Sequence, residues 1–166
     1  MAFLLRGANR RRWEWPSAEL PWLPAGEIPA APFGDVSPST DSALSVWLVE
    51  DDQSNLERVV GVVAAGRRHV DKFDYALVEE SAIRGLGIEI QRSPEACPDE
   101  EASRRWHHNV IRLTATNLNA IVQLIRSEGR VERVLKPRVE AIIRNGMDSG
   151  QINPARLQKS LLDSLS

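Results

Sequence analysis

The apolar positions change period repeatedly between residues 43 and 90. Ala43–Val49 is almost continuously apolar, which suits a strand covered on both faces. Leu56, Val59, Val60, Val63 and Ala64 then recur at helical spacing, with Asp52 or Ser54 placed to cap that helix and Gly66 to stop it. Asp74–Glu79 predicts a second strand. Ser81–Leu86 predicts a short helical turn closed by Gly85 and Gly87, and Ile88–Ile90 a third strand. The order is β-α-β-α-β, with the first two strands parallel if the 53–66 helix crosses over between them.

Further along, Pro98 with Asp99, Glu100 and Glu101 is a helix-start signal, because carboxylates favour the positive end of the helix dipole. The pattern predicts one long helix over 99–127. Its apolar residues, from Trp106 to Ile125, span an arc of roughly 160–200°, wide enough to touch two neighbours. Gly129 ends it. Short helices are expected at 130–135 and 137–145, divided by Pro137, and a last one at 154–164 begins at Asn153-Pro154.

The first 43 residues differ in kind. Six of the 10 prolines and three of the five tryptophans fall there. Proline at that density forbids a long helix, yet a disordered linker would be poor in Trp, Leu and Phe. The segment therefore predicts an ordered strap lying across an apolar surface, with 34–42 as a loop. The expected architecture is α+β in a single domain over 1–166. It comprises the extended Trp/Pro-rich strap (1–43), a small β-α-β-type sheet layer (44–91) and a C-terminal helical half (99–166).

Composition narrows the class. The chain has 166 residues, 42% of them hydrophobic and 27% charged, with a net charge of −2. It is too apolar for wholesale disorder and long enough to bury a core. One cysteine, Cys97, excludes an internal disulfide framework and a thiolate zinc cage. Cys97 also has no obvious activating neighbour in sequence. No apolar run approaches the ~20 residues that span a bilayer, so the expectation is a soluble cytoplasmic protein without a membrane partner. Charge is uneven: residues 45–101 sum to −7 and residues 102–166 to +6. The two halves can neutralise one another or face different partners.

Three clusters carry candidate chemistry. Glu50, Asp51 and Asp52 follow the first strand and Glu79 the second, so parallel strands would bring them to one sheet edge. There they could hold Mg²⁺ through oxygen ligands for phosphoryl transfer or hydrolysis. The run Trp47–Asp52 with Asn55 resembles, locally, the acidic pair of a response-regulator receiver domain. The interval to 73–79 is too short for that family's intervening strand and helix. Glu79 and Glu80 also stand where its phospho-accepting Asp would be, and no lysine-bearing strand follows. The chain is not assigned to that family. Arg133, Lys136 and Arg144 share an outer face that could meet nucleic acid, although the final helix and the net charge are poorly basic. Finally, Arg10, Arg11 and Arg12 adjoin Trp13 and Trp15, with Trp22 beyond, and tryptophan and arginine dominate interface energetics.

Trp106-His107-His108 is not expected to chelate. Neighbours on a helix point 100° apart, and a buried His107 hydrogen-bonded towards Thr114 explains the pattern. The function expected is that of a non-enzymatic interaction protein, an accessory or inhibitory subunit whose partner is another protein or a second copy. It needs no cofactor or metal. The Mg²⁺-dependent enzyme and the nucleic-acid binder stand as alternatives.

Overall fold

The strand at the centre of the molecule lies where the hydrophobic pattern gave only a strap. The computed structural model describes residues 1–14, 22–24, 27–38 and 42–165. In it Phe3–Ala8 forms β1, paired on one side with β2 (Leu44–Val49) and on the other with β3 (Phe73–Glu79). β4 (Glu89–Arg92), β5 (His107–Ile111) and β6 (Arg130–Val134) complete a six-stranded sheet in the order β4-β5-β2-β1-β3-β6, antiparallel throughout. The helices are α1 (Leu56–Ala65), α2 (Glu80–Gly85), α3 (Glu100–Trp106), α4 (Ala115–Ser127), α5 (Lys136–Asp148) and α6 (Lys159–Leu165). The fold is α+β.

Alternation along the strands divides the core in two. Leu5, Trp47, Val49, Phe73, Tyr75 and Leu77 face α1, α3, α5 and α6. Leu4, Val46, Ala76, Val78 and Val110 face the opposite way, onto α2, α4 and the segment around Phe33 and Val36. On the first face α1 and α5 approach closely at Gly61, where a Cβ would lie 2.9 Å from Ile142 Cγ2. Any side chain there would separate the two helices.

The crossover from β2 through α1 to β3 is as expected, and β2 and β3 run parallel to each other. They are not neighbours, because β1 lies between them and is antiparallel to both. An all-antiparallel sheet also differs from the doubly wound parallel sheet of receiver domains. The helix expected over 99–127 is broken. α3 starts where predicted, with Asp99 accepting from Ala102 N, but residues 107–111 form β5, hydrogen-bonded to β2 and β4 on both sides. A full ladder outweighs the helical spacing of Trp106 and Val110. The helix restarts at a reciprocal capping box between Thr114 and Asn117.

Residues 130–135, expected as a helix, contain strand β6 instead. In Arg-Val-Glu-Arg-Val the valines are three residues apart, so in a strand Val131 and Val134 pack on opposite faces. α5 starts at Lys136-Pro137, within one residue of the expected helix start, since the first turn needs no amide donor there, and it runs on to Asp148. At the C-terminal end Pro154–Arg156 is a 3-10 turn capped by Asn153, and α6 follows. α1 is entered through Asn55 rather than through Asp52 or Ser54. The buried Asn55 side chain accepts from Glu50 N at 2.9 Å and donates to Leu48 O at 3.0 Å, tying the end of β2 to the helix.

Candidate functional site

One carboxylate ties the early part of the strap to its later part. Asp35 accepts from Asn9 N (2.9 Å), Arg12 Nη1 (2.7 Å) and Trp13 Nε1 (2.8 Å), and its carbonyl accepts from Arg6 Nε (3.1 Å). Trp13, Ile28 and Phe33 are partly buried against the second core cluster. Of the three adjacent arginines, Arg10 pairs with Glu14 and Arg12 with Asp35. Arg11 is exposed, and its side chain has no partner among the described residues. Trp22 is 67% exposed. Trp15 lies outside the described residues.

The ends of β2 and β3 do share one sheet edge, with the beginning of β1 between them. The carboxylates there turn to separate partners. Glu50 accepts from Trp106 Nε1 (3.1 Å) and Ser54 Oγ (3.1 Å), and Asp51 meets the amine of Met1 at 2.6 Å. Asp52 accepts from Ser54 N, a bond that holds its carboxyl below the usual range. Glu79 accepts from Ser81 Oγ at 3.4 Å. Among the described residues no three His, Cys, Asp or Glu side chains are grouped to hold a metal ion.

The basic trio is engaged as well. Arg133 makes a two-pronged contact with Asp74 (2.7 and 2.9 Å), which lowers the Asp74 pKa. Lys136 and Arg144 flank Glu140 at 3.8 and 3.9 Å, and Arg144 also donates to Leu165 O.

A fourth arrangement has no continuous sequence pattern behind it. Residues 45, 47, 107 and 109 occupy one face of β2 and β5, because Ser45 pairs with Asn109 and Trp47 with His107. His107 is 1% exposed, and Trp47 packs edge-on against its ring at 5.0 Å. Its Nδ1 hydrogen-bonds Ser93 O, and its Nε2 lies 2.7 Å from Ser45 Oγ and 3.2 Å from Glu95 Oε1. The expected bond to Thr114 is not made, since Thr114 is occupied with Asn117. The 93–98 loop is fixed on both flanks. Ser93 N donates to His107 O, Asn109 Nδ2 donates to Ser93 Oγ (3.0 Å), and Glu95 N and O both bond Ser103 Oγ at 2.8 Å.

Ser45 opens into a cleft of about 360 Å³ between β1, β2, the end of α1 and this loop. Arg67 stands on its wall, stacked over Phe73 at 4.5 Å, with no carboxylate at ion-pairing distance among the described residues. Cys97 also lines it, but burial pushes its thiol pKa up and its Sγ donates to Asp99 O, so it is a poor nucleophile. The one advance sign was a serine inside an otherwise apolar strand.

A larger groove of about 520 Å³ lies between α1, α3 and α5. Arg58 and Arg105 there stack on Trp106 at 5.3 and 5.0 Å, and Arg58 is bound to Asp99 and Glu101. No family model matches the chain, and neither does any curated protein or solved structure. Among the described residues no helix is long and apolar enough to cross a membrane.

Proposed function

We propose that this protein acts by contact, as an accessory or inhibitory subunit of a larger cytoplasmic assembly, and that the strap is its gripping surface. The observation that supports the reading is Trp22. It is 67% exposed, whereas Trp13 and Ile28 pack on the chain's own core and Asp35 holds Arg12 and Trp13. A loop with fixed ends presents a large apolar side chain at a smaller entropic cost than a free tail. Arg11 adds an exposed positive charge on the same strap, with no side-chain partner among the described residues. The matching partner surface is an apolar pocket rimmed by carboxylates.

The Mg²⁺-enzyme and nucleic-acid alternatives rank lower. Their carboxylates and cations are turned to partners within the chain. The test is affinity capture from the native host with the wild-type protein and with Trp22→Ala. An interface tryptophan contributes about 2 kcal/mol or more, so the variant should retain less than a tenth of the partner while melting at the wild-type temperature. Equal capture by both proteins refutes the proposal.

A further inference from the structure

Going beyond the contact surface, we infer that the cleft at Ser45 is a nucleophilic site able to hydrolyse a small ester carrying an anionic group. The geometry is that of an activated serine: a hydroxyl facing a cleft, a base behind it, and a third group that orients the base. The His107 ring is buried and packed by Trp47, and its Nδ1 proton is directed at Ser93 O. That tautomer leaves the Nε2 lone pair towards Ser45 Oγ, 2.7 Å away, so the serine hydroxyl donates to it. A main-chain carbonyl thus takes the orienting role that a carboxylate takes in a Ser-His-Asp triad. Ser93 O is itself held in place by the ladder bond from Ser93 N to His107 O and by Asn109 on the Ser93 hydroxyl.

In the reaction Ser45 Oγ bonds to the acyl carbon as its proton passes to His107 Nε2, and the carbonyl π pair moves onto oxygen. The imidazolium so formed faces the Glu95 carboxylate, 3.2 Å from Nε2, which stabilises the charge as it develops. Collapse expels the alcohol oxygen, which takes the proton from His107. Water, deprotonated by the same nitrogen, then attacks the acyl-serine, and as that intermediate collapses Ser45 Oγ leaves, takes the proton back from His107 and releases the acid. Arg67 is exposed on the cleft wall without an ion-pair partner among the described residues, so it selects an anionic group on the substrate. The cleft volume, about 360 Å³, sets a small ligand.

The full chain is incubated with a neutral alkyl fluorophosphonate, which transfers its phosphonyl group to an activated serine and releases fluoride. Intact mass and peptide mapping should find one adduct, on Ser45. It should be absent from Ser45→Ala and from wild-type protein unfolded in urea. It should form at least a hundredfold more slowly in His107→Gln, the loss expected for a general base. Arg67→Ala should lose any preference for 4-nitrophenyl hemisuccinate over 4-nitrophenyl acetate. Labelling that is absent from folded wild-type protein, equal in urea, or unchanged in Ser45→Ala overturns the inference. Trp22→Ala should label normally, and Ser45→Ala should still capture the partner, so the two proposals fail separately.

Discussion

Asp74 joins three parts of the chain, and its removal gives a quantitative test of the fold. The side chain is 5% exposed and accepts from Arg133 Nε (2.7 Å), Arg133 Nη2 (2.9 Å) and Arg10 N (3.0 Å). It therefore ties β3 to β6 and to the turn where the strap begins. Hydrogen bonds to a charged acceptor contribute about 1.5–3 kcal/mol each. The two from Arg133 act as one unit and are discounted, because that guanidinium is a quarter exposed and water can reach it. Asp74→Ala should then cost about 2–4 kcal/mol, and Asp74→Asn, which keeps a neutral acceptor, about 1–2 kcal/mol.

The pH dependence has a definite sign. Arg133 first, then the Arg10 amide, lowers the folded Asp74 pKa below its unfolded value. The stabilisation is therefore complete above the unfolded value of about 3.9 and is lost as the pH falls through the folded pKa. Urea unfolding followed by tryptophan fluorescence at pH 7, 5 and 3 measures both effects. The gap between wild type and Asp74→Asn should be equal at pH 7 and 5 and should narrow as acid protonates the wild-type carboxylate. An alanine variant within about 0.5 kcal/mol of wild type, the range of ordinary surface substitutions, refutes the reasoning, and so does a gap that widens in acid.

Two further outcomes test the packing and the sheet. Gly61→Ala should lower stability by about 1–3 kcal/mol, because its Cβ meets Ile142. Gly85→Ala, with nothing within 4 Å, should be neutral or slightly stabilising. Thermal melts that shift both variants alike contradict that contrast. Tyr75 is the chain's single tyrosine, so the change in ultraviolet absorbance on phenol ionisation reports it alone. Burial first, then its hydrogen bond to Glu132, raises the phenol pKa, so no phenolate should form in the folded protein at pH 10.5. Stability should fall as the pH rises past about 10, where only the unfolded chain ionises. A folded protein that titrates like free tyrosine refutes this.

Legibility in the sequence followed the range of the forces involved. β2, α1, β3, α2 and the start of α3 were readable because their periodicity and caps are local. β1, β5 and β6 were not. Arg6 and Gly7 interrupt the apolar run of β1, His107 and His108 sit where helical spacing continues, and β6 spaces its valines three apart, as a helix surface also does. In each case pairing with distant strands decides the conformation. The same holds for the cleft. Ser45 and His107 are 62 positions apart, and only the β2–β5 register puts them on one face. In the strap, the packing of Trp13, Ile28 and Phe33 follows from their apolar character, while the hold of Asp35 on residues 9, 12 and 13 has no local signal.

The placement of β1 between β2 and β3 also governs how the protein is made. Its Leu4 and Leu5 leave the ribosome well before their neighbours Leu48 and Trp47, and longer still before Val78 and Leu77. Long-range antiparallel pairing of this kind slows folding and leaves greasy segments open to wrong partners meanwhile. Production of this chain should depend on chaperones at the exit tunnel more heavily than that of a helical bundle of equal length.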